Sequence, residues 1–303
     1  MATVFLVLVQ NILPIFIVAA FGFMLRRWVG VDKKALSTAV LYCFSPALVF
    51  SSLVNSRLPG EELLELAAFT LISVTVMAAI GWVLSRLLRL GRAQTMALML
   101  VLMFVNGGNY GLTLNNLRYG SDGLARAVVY YTTSTLVLYT VGLLMASMGR
   151  LSWRESSVRL LRLPPLYAAV AAVFVYTTGV VVPAPLMRAV EIAGAGAIPV
   201  MLFVLGMQMA DLQGVSELKL ALPAVGVRLL VGPLVGLGVA TLLGLSGLGR
   251  ATSIIEASMP TAVFTIILAT EFDLQPTAVT TVVVLSNLLS PLTVASVITL
   301  LGL

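Results

Sequence analysis

The sequence contains no histidine and a single cysteine, Cys43. Structural disulfides, Cys/His metal sites and histidine acid–base chemistry are therefore excluded. Cys43 lies in an apolar run and is expected only to pack. Charge is scarce too: 10% of the residues are charged and 60% are hydrophobic, with a mean hydropathy of +1.08. A soluble domain would need far more charge on its surface. The composition therefore reads as an all-α membrane protein. Each span takes roughly 20 apolar residues, and the spans fill the chain, leaving no room for a soluble catalytic domain. No cofactor, metal or nucleic-acid partner is expected, because the net charge of +6 sits in short loops where it sets topology.

Apolar windows divided at Pro, Gly and charge predict ten spans: 4–25, 35–54, 64–88, 93–118, 124–148, 165–182, 187–210, 218–244, 250–271 and 277–302. The first resembles a signal peptide but lacks a basic stretch before it, and Arg26-Arg27 follow it, so it reads as a retained helix. If the N-terminus is outside, twelve basic residues fall in cytoplasmic loops (Arg26, Arg27, Lys33, Lys34, Arg86, Arg89, Arg92, Arg150, Arg154, Arg159, Arg162, Lys219). Five fall outside (Arg57, Arg118, Arg126, Arg188, Arg250), and Arg228 alone lies within a span. That bias places the chain in the cell inner membrane as a multi-pass protein with both termini on the outer, non-cytoplasmic face.

The two halves echo each other. Ser45-Pro46-Ala47-Leu48-Val49-Phe50 in the second expected span is matched by Ile198-Pro199-Val200-Met201-Leu202-Phe203 in the seventh. The tetrapeptide Leu-Gly-Arg-Ala opens both the fourth (90–93) and the ninth (248–251). Five spans per half would insert the halves upside down, giving a 5+5 inverted repeat: 1–148, a cytoplasmic linker 149–164, and 165–303. The fourth and ninth spans are expected to be broken. The fourth carries Asn106-Gly107-Gly108-Asn109-Tyr110-Gly111, whose glycines each cost about 1 kcal/mol of helix stability against alanine. The ninth carries Glu256, Ser258, Pro260 and Thr261, with Pro260 clashing against the carbonyl of Glu256. Glycines alone could serve close helix packing. With asparagines and a matched proline they point to a polar site at membrane depth, where helix N-termini would favour an anion. The candidate substrate-binding set is thus Asn106, Gly107, Gly108, Asn109, Tyr110, Ser258, Pro260 and Thr261. Glu256 and Arg228 are either a structural pair or a coupling site.

Several segments resemble the auxin efflux carrier family, which includes bacterial malonate and malate permeases. They are Ile12-Leu13-Pro14-Ile15-Phe16 with Gly22 and Arg26-Arg27, Phe44 to Phe50, Asn106 to Leu112, Ile198 to Leu202 with Leu205-Gly206, and Met259-Pro260 running to Glu271. The resemblance covers the chain in order. It implies ten helices with spans four and nine crossing at mid-membrane, an elevator-like carrier of carboxylates, Asn106 as the first-ranked substrate ligand, and a homodimer. The chain departs from the family where relatives often have proline: Val105 and Thr113 stand there instead. It also lacks the asparagine that plant members have near the sixth span, which here reads Leu163-Pro164-Pro165-Leu166. The expected function is secondary transport of a small organic anion such as a mono- or dicarboxylate or an auxin-like acid. The rival is a sodium-coupled symporter of bile-acid-symporter-like architecture. An enzyme is not expected.

Overall fold

A computed structural model describes residues 2–56, 58–147, 164–211 and 216–303; all but one residue of the expected linker lies outside them. Eleven helical segments are present among the described residues. They are α1 (Val4–Val29), α2 (Lys33–Asn55), α3 (Gly60–Leu87), α4 (Arg92–Met103), α5 (Gly107–Ala146), α6 (Pro164–Thr178), α7 (Ala184–Ala210), α8 (Leu218–Leu242), α9 (Gly247–Ala257), α10 (Phe264–Glu271) and α11 (Pro276–Leu301). Trp28, Leu64, Val181 and other large apolar side chains are exposed on the outside of the bundle, as a chain solvated by lipid requires. Cys43, expected to pack, is exposed as well.

The expectation of ten spans is overturned. Seven described helices are long and apolar enough to cross a membrane: α1, α2, α3, α5, α7, α8 and α11. The stretch 93–118 divides: α4 has 12 residues, about 18 Å at 1.5 Å per residue, against a hydrocarbon core of about 30 Å. The residues after the break run instead into α5, whose only non-helical interior residue is Gly120, at φ 63° and ψ −154°. The stretch 250–271 divides into α9, of 11 residues, and α10, of 8. The stretch 165–182 forms a 15-residue helix that ends before Gly179, at φ 69°. With ten spans goes the 5+5 inverted arrangement, since the inversion was read from five spans in each half.

Prolines shape the long helices through local widening. Pro14, Pro46 and Pro233 each follow a π-turn, at Leu8–Ile12, Val40–Phe44 and Val227–Val231. A proline lacks the N–H for its turn and presses its ring on the carbonyl four residues back. One extra residue in the preceding turn moves that carbonyl away.

The helices pack in two groups. α7 lies against α1 and α2, and α6 against α2. In the other group α3 packs on α4 and α5, α9 on α5 and α8, and α8 on α11. α1 and α7 approach so closely that a Cβ on Gly206 would collide with the backbone carbonyl of Ala19. Just past the end of α7, Asp211 holds the ends of two helices, 2.7 Å from Arg26 Nε and 2.6 Å from Lys33 Nζ. The seam between the groups is apolar, made by Leu48 and Val49 of α2, Leu112, Ala127 and Val128 of α5, and Ala197 and Met201 of α7.

Gly206→Leu is expected to force α7 off α1 and lower thermal stability in detergent by about 1–3 kcal/mol equivalent. Gly238→Leu, where a Cβ meets nothing within 4 Å, should stay within about 0.5 kcal/mol of wild type. Equal effects in both would disprove the close crossing. At Asp211, burial pushes the carboxyl up, but hydrogen bonds and charge from Arg26 and Lys33 outweigh it and hold it below the usual aspartate range. The stabilisation is therefore present above the unfolded-state value and is lost as pH falls through the depressed one. Asp211→Asn should cost under about 1 kcal/mol at neutral pH, since the pair is partly exposed. Its difference from wild type should shrink in strongly acid solution; a deficit that grows with acidity would count against this assignment.

Candidate functional site

At the two breaks the chain leaves the helix and forms an isolated antiparallel bridge between Val105 and Thr261. The N–H of Asn106 donates to the carbonyl of Pro260 at 2.7 Å, and that of Ala262 to the carbonyl of Phe104 at 2.9 Å. A helix end buried in a membrane leaves carbonyls without their usual intrahelical donors, and side chains meet three of them here. Thr261 Oγ1 donates to the carbonyl of Val101 at 2.9 Å. Arg228 Nη1 donates to that of Leu102 at 2.7 Å, and Nη2 to that of Ala257. One guanidinium thus caps the C-terminal ends of both α4 and α9, where a cation also complements the helix dipoles. α11 supplies the remaining ties. Ser286 Oγ accepts from the N–H of Thr261 at 3.2 Å. Asn287 donates to the Thr261 carbonyl at 3.1 Å and accepts from Asn106 Nδ2 at 3.1 Å.

α5 begins at the break. Its first helical bonds run from the N–H of Tyr110 and Gly111 to the carbonyl of Asn106, at 3.2 and 3.1 Å. The N–H groups of Gly107, Gly108 and Asn109 precede these and have no acceptor within the helix. Gly107, Gly108 and Asn109, the residues that bear them, border a cavity of about 250 Å³. Its other walls are Tyr130, Tyr131, Ser134, Thr135 and Tyr139 of α5, Ser37, Val40 and Leu41 of α2, Met201, Val204 and Gln208 of α7, and Phe104 and Phe264 beside the breaks. No charged side chain lines it among the described residues. The buried Gln208 Oε1 has no hydrogen-bond partner. Towards the opposite ends of α2 and α7 lies a second cleft, of about 480 Å³, lined by Ser52, Asn55, Asn116, Asp122 and Glu191 among others. The apolar seam separates the two.

Of the residues singled out from sequence, Asn106, Gly107, Gly108 and Asn109 line the cavity. Tyr110 is buried edge-on against Phe16, ring centres 5.8 Å apart. Ser258 turns its hydroxyl back to the carbonyl of Ile254 at 2.6 Å. Pro260 and Thr261 hold the bridge rather than the cavity. Glu256 and Arg228 are both fully or nearly fully buried, yet no ion pair joins them among the described residues. Glu256 Oε1 instead accepts from Asn115 Nδ2 at 3.0 Å. Sequence reasoning missed Asn115, the aromatic wall and the tie through Ser286. An amide inside an apolar run was the one available signal for Asn115.

The family model described as "Membrane transport protein" matches residues 7–158 and again 146–298. The chain belongs to the membrane transport protein family. Members of this family are transporters and not enzymes. An uncharacterised transporter of Methanothermobacter thermautotrophicus is 28% identical over 289 residues, covering 93% of this chain and 94% of that protein. One from Methanocaldococcus jannaschii is 21% identical over 273 residues, 86% and 87% of the two chains. A rice protein named "Probable auxin efflux carrier component 1b" is 30% identical over 158 residues, 50% of this chain and 28% of the rice one. The resemblance to auxin efflux carriers therefore holds at the level of the family, and these relatives are archaeal and plant.

Arg228→Ala should leave the carbonyls of Leu102 and Ala257 without donors, at about 1–3 kcal/mol each. Arg228→Lys, which can reach one of them, should fall between Ala and wild type in detergent melting experiments. An alanine variant as stable as wild type would show that Arg228 does not hold the crossing.

Proposed function

We propose that this membrane protein is a secondary carrier for a small organic anion, bound in the cavity beneath the crossing. The observation that carries the reading is the cavity's makeup: the first turn of α5 at one end, neutral hydroxyls and amides, aromatic walls, and no cation among the described residues. A helix N-terminus presents roughly half a positive charge, enough to favour one carboxylate when supplemented by neutral donors. A second carboxylate would sit at membrane depth without a partner, which is costly. The favoured substrate is thus a monocarboxylate with an apolar or aromatic body, over dicarboxylates such as malonate and malate. The rice relative's printed name agrees with a carboxylate of this kind.

Alternating access is the mechanism the two clefts favour. Both lie between the same helix groups, on either side of one apolar seam. Sliding the group that carries the crossing along α2 and α7 would open one cleft as it closes the other, an elevator-like motion. The basic residues Arg26, Arg27, Lys33 and Lys34 favour the cytoplasmic side of the cell inner membrane for the cavity end of α2, and with it the outer face for the start of α1.

Thermal shifts of the purified protein in detergent test the substrate class. Ligands of the folded state raise stability by about 2.7 kcal/mol at one hundred times Kd. Indole-3-acetate and pyruvate should shift the melting point, malonate, malate and succinate should not, and Gly108→Val, which pushes a side chain onto Tyr131, should abolish the shift. Stabilisation by dicarboxylates alone would overturn the monoanion assignment.

A further inference from the structure

Glu256 has no exposed surface, and it does not face the cavity. Its carboxylate lies flat on the start of α5, so close that a Cβ on either Gly107 or Gly111 would collide with its oxygens. Oε1 is occupied by Asn115 Nδ2, which also donates to the carbonyl of Gly111 at 3.0 Å. Oε2 has no donor, and neither does Asn115 Oδ1. Two buried acceptors on directly bonded side chains are therefore both unsatisfied, each at a cost of about 1–3 kcal/mol. The charges on neighbouring elements do not relieve this. Arg228 of α8 spends both terminal nitrogens on carbonyls. Glu62 of α3 is held by Arg126, near Gly249 and two turns away along α9. Tyr130 of α5 is near enough to interact electrostatically with both Glu256 and Arg228, but its ring stands in the cavity wall. α11 has no charged residue.

We infer that Glu256 and Asn115 form a proton site, and that the carrier moves its organic anion together with a proton; this second part rests on the anion reading above. A proton on Oε2 satisfies both orphan acceptors at once. The carboxyl then donates to Asn115 Oδ1 and accepts from Asn115 Nδ2, closing a ring of two reciprocal hydrogen bonds. A hydronium ion at the open face gives up the proton: one of its O–H bonds breaks as the O–H bond on Oε2 forms, water is left behind, and the reverse step returns the proton to water. A proton also needs no room, whereas a bare metal cation takes a shell of roughly six oxygens, and here a methyl group would already clash.

Gly107 links this site to the cavity. It lines the cavity on one side and touches Glu256 on the other. An ionised carboxylate behind the first turn of α5 opposes the positive field that its N–H groups present to a bound anion. The neutral acid leaves that field intact. Protonation and anion binding therefore strengthen each other, and linkage makes the effect reciprocal.

The first test needs no substrate. Infrared spectra of the purified protein at about pH 8, where solvated carboxylates are ionised, should show a carboxylic-acid C=O stretch. Glu256→Gln should remove it and Asn115→Leu should shift it. Should the glutamine variant fail to fold, ¹³C-glutamate labelling of the wild type carries the assignment. A folded wild type without this band, or stabilisation by sodium over choline that Glu256→Gln abolishes, overturns the proton site. The second test is coupling, with phenylacetate as the probe. Its affinity should fall as pH rises through the titration of the site and level off at a total loss of about 5–150-fold, and Glu256→Gln should flatten the profile. A band with pH-independent phenylacetate binding overturns the coupling alone. A band with no binding of phenylacetate at any pH overturns the anion reading instead, and leaves the proton site standing.

Discussion

A backbone interrupted inside a membrane must find every hydrogen bond within the protein, because lipid offers none. The rest of this structure follows from how that demand is met where α4 and α9 stop. Both helices end near one another, so one short bridge between Val105 and Thr261 serves both. The bridge cannot cover the helix C-termini, which project carbonyls past it. Arg228 fills that gap from α8, and the hydroxyl of Thr261 and the amide of Asn287 fill the rest. Burying a guanidinium is expensive, but here it replaces two orphaned carbonyls and sits where two helix dipoles are negative. α8 and α11 are thereby committed to the crossing, and it becomes one rigid body with them.

The same geometry separates the two buried charges. Read from sequence, Glu256 and Arg228 could have paired. In the fold they serve opposite ends of helices: the arginine holds C-termini, and the carboxylate packs on the N-terminal turn of α5. Each is placed by dipoles and backbone groups rather than by the other. The partner of Glu256 is a neutral amide and not a cation, which is what the proposed proton site requires.

Much of this was legible in the chain, and the failures have physical causes. Three glycines and two asparagines amid apolar residues have no use in a plain spanning helix, so Asn106 to Asn109 stood out, and they do line the cavity. Hydropathy marked where the chain is apolar but not where a helix stops. That is why 93–118 and 250–271 read as single spans with a break inside, when α4, α9 and α10 are separate helices too short to cross. Ser258 and Thr261 were selected for polarity at membrane depth, yet their hydroxyls satisfy nearby carbonyls, the commoner fate of such groups. Arg228 as a double cap and Asn115 as the partner of Glu256 were out of reach. Their contacts span 126 and 141 residues, and which face of a helix meets which neighbour is set by packing that no local pattern encodes.

The absence of any cation from the cavity wall, among the described residues, bears on turnover of the proposed carrier. A lysine or arginine in contact with a carboxylate at low dielectric would hold it by several kcal/mol. A carrier must also let go on the far side, and tight binding in either state slows that step. Three peptide N–H groups offer directional but weaker recognition, and aromatic walls add affinity through area rather than charge. Placing the one titratable carboxylate behind those N–H groups, outside the cavity, makes the site's affinity adjustable without adding a charge to the substrate's path. On the proposed reading, loss of the proton weakens the anion's hold and its return restores it, through a single turn of backbone whose Gly107 and Gly111 leave room for the carboxylate.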